Sequence, residues 1–351
     1  RARRHLVMSY HLLDDYEREM EASRFINEII DAGQIVSQSR ELSEEAYAVF
    51  CADVFRPVEV VTPLVDHGLI DQALENFEIS ASALNKYLEC PRKFYFDYVL
   101  RIPSAHKTYF GFGQAIHKTL DDFFTWHVKA QQVTGSATEF VELFRRQLRR
   151  HRSHFTATEF EMHLHFGADI LTSYYQQRAG SWADPVDALT EYKVRNVQHR
   201  GVPIKGDIDR VDIFPKHVVV TDYKTGKSAN AHKRGQLRRP DEKNAYGGDY
   251  WRQIVFYKIL LDADPGIRKQ VDYGYIDFIQ PRSSGQHEQI KIQITPEDVQ
   301  HVSDQIVEIW EKIQAHEFET GCGRDDCYWC TLVENEMVVD RDKPIPVSEE
   351  F

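Results

Sequence analysis

The sequence predicts an α/β domain, a central mixed β-sheet flanked by helices, preceded by a short piece of a different domain. Three observations carry this. Strand-like runs at Leu189–Val197, Ile204–Ile213 and His217–Tyr223 follow one another across short turns containing Gly201-Val-Pro203 and Pro215, the pattern of a β-meander. Two further strand-like runs, near Tyr273–Gln280 and Gln289–Ile294, come after an intervening helix near Trp251–Leu261. Helical periodicity dominates the chain before the meander and returns after the last strand.

In chain order, residues 1–75 read as a strand-like Arg4–Tyr10, a helix over roughly 15–31 and polar connecting sequence up to a second short helical stretch. The second domain, 76–351, opens with Ser80 or Ser82 capping a helix that carries Leu84, Tyr87 and Leu88, and Pro91 suits the first turn of the next. A helix is expected after Gly111 and Gly113, with Ile116, Leu120, Phe123 and Phe124 on its apolar face, and 138–178 reads as helical throughout. A loop of about 25 residues follows the third strand. Thr295-Pro296-Glu297-Asp298 opens the last helix with a cap, a proline in its first turn and early acids.

Composition bounds the function. The chain has 351 residues, 42% hydrophobic and 28% charged, which excludes disordered and fibrous classes. It contains no run of 18 apolar residues and does not open with the pattern of a secretory signal, so a cytoplasmic protein without membrane spans is expected. Because it begins at Arg1 rather than methionine, the chain is expected to be cut from a longer polypeptide. The net charge of -12 argues against a general polycation, so any nucleic-acid contact must rest on local positive charge. Five cysteines are too few for a disulfide scaffold, and Cys322-x4-Cys327-x2-Cys330 has metal-ligand spacing.

The chemistry concentrates in Gly206-Asp-Ile-Asp-Arg-Val-Asp212 and Val220-Thr-Asp-Tyr-Lys-Thr-Gly226. Side chains alternate along a strand, so Asp207 shares a face with Asp209, and Asp222 with Lys224. Acids on adjacent strands can converge on one hard cation, which neutralises a phosphate and lowers the pKa of water. A lysine two residues beyond such an acid can orient the water or stabilise developing charge. Thr225-Gly-Lys-Ser228 imitates a phosphate-binding loop but lacks its first glycine, since Thr221 stands there.

Together with Gly113-x3-His117 and Gln253-x3-Tyr257, these blocks resemble the RecB/AddB-like nucleases of the PD-(D/E)XK type, over roughly residues 78–335 and in family order. The resemblance implies a restriction-endonuclease-like fold and hydrolysis of DNA phosphodiesters with Mg²⁺ or Mn²⁺. It implies that His117, Asp209 and Asp222 bind the metal with the Tyr223 carbonyl, and that Lys224 is catalytic. Gln253 and Tyr257 would support the site and contact DNA, and Glu191 matches an acidic position less closely. Asp207 has the weaker claim, because that position varies in the family.

Such nucleases work with a helicase, in cis or as a partner subunit, at DNA ends during repair and recombination. The first ten residues resemble the end of the last motif of UvrD/Rep-type helicases. Another class of reading, a non-catalytic DNA-binding clamp, sits poorly with a sequence that retains Asp209, Asp222 and Lys224. DNA contact is expected from the loop residues Lys227, Lys233, Arg234, Arg238 and Arg239. The arginines between Arg145 and Arg152 read instead as a solvated helix face.

Four thiolates suit either an iron–sulfur cluster or structural zinc. The resemblance, with one cysteine before the core and three after it, implies a [4Fe–4S] cluster on Cys90, Cys322, Cys327 and Cys330, Zn²⁺ being the alternative. The x4 and x2 spacing departs from the family's. Cys51 falls outside the layout and is expected to be a free cysteine.

Overall fold

The computed structural model describes residues 67–334 except 103–107, 130–131 and 183, together with scattered residues between 23 and 49. The strand expected at Arg4–Tyr10, Cys51 and most of the helix expected near 15–31 lie outside the described residues, and with them most of the expected helicase remnant. Val61–Val338 form one unit.

Its framework is a five-stranded sheet in the spatial order of the sequence: β1 Asp187–His199, β2 Val202–Ile213, β3 His217–Lys224, β4 Gln270–Phe278 and β5 Gln289–Gln293. β1, β2 and β3 pair antiparallel, β3 and β4 pair parallel, and β5 is antiparallel to β4. The expected mixed sheet is therefore present. A parallel neighbour needs a crossover, which here contains helices Ser228–Lys233 and Asp249–Ala263. The long loop expected between β3 and the second of these helices is partly helical, through Ser228–Lys233.

Helices cover both faces. Numbered in chain order, they are α1 His67–Leu74, α2 Ala81–Glu89, α3 Pro91–Phe94, α4 Thr108–His127, α5 Ala137–Arg150 and α6 Ala157–Arg178. After β3 come α7 Ser228–Lys233, α8 Asp249–Ala263, α9 Pro296–Gln314 and α10 Tyr328–Glu334. One core packs α2, α8 and α9 against the sheet through Leu84, Ile254, Phe256, Leu260, Val302 and Ile306, meeting Val211, Val218, Val220 and Ile276. The other joins α4, α5 and α6 through Ile116, Phe123, Phe140, Phe144, Leu171 and Tyr174, and takes Tyr223 from β3 and Ile279 from just beyond β4.

Local chemistry sets the boundaries. Ser80 caps α2 by accepting the Ala83 N–H. The helix read continuously over 138–178 is two, because Thr156 and Glu159 form a capping box that starts α6 after a short turn. The helix expected after Gly113 begins earlier and contains both glycines. Gly111 is fitted to its place: a Cβ there would lie 3.0 Å from His154 Cβ. The expected cap of α9 is present, as a capping box of Thr295 and Asp298.

Candidate active site

The site forms where β2 and β3 part. Their ladder runs from Ile213↔Val218 to Arg210↔Thr221 and stops, although β3 continues alongside β4 to Lys224↔Phe278. A buried N–H without a partner is costly. That of Tyr223 is satisfied by Asp209, whose Oδ2 accepts it at 2.7 Å. The carboxylate thus replaces a backbone acceptor at the fork, and its other oxygen, Oδ1, lies 3.2 Å from His117 Nδ1.

β1 contributes Glu191. Its neighbours Thr190 and Tyr192 pair with Arg210 and Ile208, but Glu191 does not enter the ladder opposite Asp209. It adopts a left-handed backbone with φ 46, a conformation that costs a non-glycine residue and is found where a side chain must be aimed. Ligand atoms of His117, Glu191 and Asp209 all lie within 4.8 Å of one another. Glu191 therefore joins His117 and Asp209, whereas Asp222 stands beside this group and is held by other partners.

Those partners make a closed ring. Lys224 Nζ lies 2.7 Å from Asp222 Oδ2 and donates to Gln253 Oε1 at 2.9 Å. Gln253 Nε2 donates to the Tyr257 hydroxyl at 2.8 Å, and that hydroxyl donates to Asp222 Oδ1 at 3.1 Å. Gln253 and Tyr257 are one turn apart on α8, so one helix face closes the ring. The Tyr250 ring lies 4.5 Å from Lys224 Nζ, a cation–π contact from the preceding turn of the same helix.

Electrostatics follow from burial among these charges. Burial acts to lower the His117 pKa, but Asp209, through charge and hydrogen bond, and Asp222 outweigh it and push it up to about 9. Burial likewise opposes ionisation of Asp209, and His117 with the Tyr223 N–H overcomes it, holding that carboxyl below its usual range. Asp222 is raised by burial despite Lys224. Glu191 is raised by burial and by the charge of Asp209. Burial would lower Lys224, but Asp222 holds it above the usual lysine range.

An open cleft of about 710 Å³ exposes the arrangement, lined among others by His117, Asp209, Asp222, Lys224, Gln253 and Tyr257. Reading the sequence missed Tyr250, Arg195 and Lys205 in this lining. Tyr250 could have been found three residues before Gln253, on the same helix face. Asp207 also lines the cleft, but its carboxylate is paired with Arg195. Of the basic loop, Lys227, Lys233, Arg234 and Arg238 are exposed. Arg239 is engaged: it pairs with Asp298 at 2.9 Å and donates to the Gln293 carbonyl. Asp212 holds the buried Arg210, which also donates to the Trp182 carbonyl. Arg145 is paired with Glu142.

The sequence profile of the PD-(D/E)XK nuclease superfamily matches residues 78–334. The chain belongs to this superfamily. The cleft lies within the matched residues, and Asp222-Tyr-Lys224 in it has the spelling of the (D/E)XK in the superfamily's name. No curated protein sequence matches the chain. Among solved structures, a Eubacterium rectale protein provisionally described as an exonuclease aligns at TM-score 0.47 and 12% identity, over 82% of this chain and 97% of its own. A protein called SSO0001 aligns at TM-score 0.27 and 15% identity, over 63% of this chain and 93% of its own.

Proposed function

We propose that this PD-(D/E)XK nuclease domain degrades DNA from its ends with Mg²⁺ or Mn²⁺, as the nuclease part, residues 76–351, of a helicase-nuclease acting in repair and recombination. The helicase would stand in cis, residues 1–75 being the end of it, or as a partner subunit. The observation that carries the reading is the juxtaposition of two groups: His117, Glu191 and Asp209 gathered within 4.8 Å, and beside them the Asp222–Lys224 pair locked by α8. Glu191 and Asp209 are like charges drawn together, and the donor set of carboxylate oxygens and one imidazole suits a hard divalent ion. Asp222 and the Tyr223 carbonyl are the further donors we assign.

A bound ion would polarise the phosphate and supply a nucleophilic water near neutral pH. The residues do the rest. Lys224 carries its charge into the cleft and stabilises negative charge developing on the phosphate oxygens. Gln253 and Tyr257 keep that ammonium and the Asp222 carboxylate in one geometry, so neither must reorganise during reaction. Glu191 and Asp209 orient water by accepting its hydrogen bonds. The exposed Lys227, Lys233, Arg234 and Arg238 leave β3 next to the cleft and supply sequence-independent attraction for a phosphate backbone.

The test is degradation of end-labelled linear DNA and of a circular counterpart, with Mg²⁺, with Mn²⁺ and with chelator. Metal-dependent loss of the linear substrate with circles spared supports the reading. Equal attack on circles overturns the end preference, and DNA binding without cleavage in either metal would make the domain a clamp.

A further inference from the structure

The second cluster of metal-ligating side chains lies away from the cleft, where the two ends of the matched region meet. Cys90 ends α2, and Cys322, Cys327 and Cys330 surround the start of α10. All four are free thiols, three of them buried. Cys90 Sγ is 3.6 Å from Cys330 Sγ and 3.9 Å from Cys327 Sγ, and Cys322 Sγ is 3.8 Å from Cys330 Sγ. All four sulfurs lie within 4.8 Å of one another.

These distances decide between a single tetrahedral ion and a four-iron cluster. Around a single ion with metal–sulfur bonds of about 2.3 Å, a tetrahedron places its sulfurs about 3.8 Å apart. In a four-iron cluster each cysteine binds a different iron, so the sulfurs stand off the corners of a cube and lie roughly 6 Å apart. Three of the six spacings, between 3.6 and 3.9 Å, are those of the tetrahedron, and none exceeds 4.8 Å, too short for the cube. We infer that Cys90, Cys322, Cys327 and Cys330 bind one structural zinc ion, and not the four-iron cluster that the resemblance implied. A closed set of four thiolates, with no position left for water, is the form of a structural zinc site.

The surroundings support a close-packed ion. The space that a side chain at Gly321 would take is filled by Cys330 Sγ at 2.9 Å and Arg92 Nη1 at 3.0 Å. Four thiolates exceed the charge of one zinc, and Arg92 and Arg324 stand against the excess. Around the site, Trp329 stacks on Phe96 with ring centroids 4.3 Å apart, and Arg324 pairs with Glu89. The ion would therefore tie the segment after α9 to α2 and α3, across more than 230 residues of chain.

The experiment is metal and acid-labile sulfide analysis of the full chain, purified without oxygen from cells supplied with both iron and zinc. One zinc per chain, no sulfide and a colourless protein are expected. Exchange into Co²⁺ should give the strong visible bands of a tetrahedral cobalt tetrathiolate. Cys322→Ser, at the most accessible ligand, should lose the zinc, and Asp209→Asn, altered in the cleft, should keep it. Brown protein with iron and sulfide, a lone iron, or a chain without bound metal overturns the inference. So does zinc that follows Asp209 and not the cysteines. If Cys322→Ser fails to fold, the composition and cobalt spectrum of the unaltered chain still decide.

Discussion

Removing one hydroxyl tests the ring around Asp222 and Lys224. Tyr257→Phe keeps the volume of a side chain only 4% exposed and deletes its hydrogen bonds to Asp222 and from Gln253. The Asp222 side chain is 3% exposed, so water cannot replace the lost donor, and a bond to a charged acceptor contributes about 1.5–3 kcal/mol. Gln253 is half-buried, so its amide can turn to solvent at a cost of well under about 1 kcal/mol. The variant should lose about 2–3 kcal/mol, read in urea titrations as a lower midpoint with an unchanged slope. Cleavage should fall roughly ten- to a hundredfold, because Gln253 no longer fixes Lys224. A double-mutant cycle with Gln253→Ala should be strongly non-additive. If Tyr257→Phe keeps both wild-type stability and wild-type rates, the ring does not hold the site and the reasoning fails.

Asp222→Asn and Lys224→Met should each cut single-turnover cleavage by about a thousandfold or more, with circular dichroism preserved; near-normal rates would displace both from catalysis. Glu191→Gln should raise the Mg²⁺ concentration for half-maximal activity by roughly tenfold, and an unshifted metal titration would remove Glu191 from the ion. Neutralising Lys233, Arg234 and Arg238 together should flatten the slope of log affinity against log salt by up to about 2.7, whereas the same slope would place the phosphate contact elsewhere. Gly248→Ala should lower the melting temperature and slow cleavage, since its Cβ would lie 2.3 Å from the Gln236 carbonyl carbon and oxygen, a clash that the backbone entering α8 cannot relieve without moving; unchanged melting would show that the loop yields freely.

Much of this architecture was legible in the sequence because strands and capping boxes are written locally. The five strands, α8 and the start of α9 follow from alternation, apolar periodicity and Thr295-Pro296-Glu297-Asp298. The break between α5 and α6 was missed, although Thr156-x2-Glu159 carries the same capping signature as Thr295-x2-Asp298, because the helical pattern on either side obscured it. The ring in the cleft was legible for a related reason: period-two alternation places Asp222 and Lys224 together, and a spacing of four places Gln253 beside Tyr257. What stayed hidden depends on backbone geometry between strands. Nothing in the residues around Glu191 announces a left-handed turn that sends its carboxylate toward His117. Nor does the composition of the basic loop show that Arg239 is tied to Asp298 while its neighbours remain exposed. The cysteine spacing pointed to a metal, but its nuclearity is a matter of ångströms between sulfurs.

β3 belongs to both cores. Val218 and Val220 sit in the core beneath α8, while Tyr223 sits among the aromatic side chains of α4 and α6, and every residue from Val218 to Tyr223 is buried. Neither helical layer can peel away without stripping one side of this strand, and no local opening frees its amides while both layers stay in place. In hydrogen exchange its N–H groups should therefore be the last to take up deuterium, at the rate of global unfolding. The strand that carries Asp222 and Lys224 would then be the slowest clock in the domain, and the exposed basic loop one turn beyond it among the fastest.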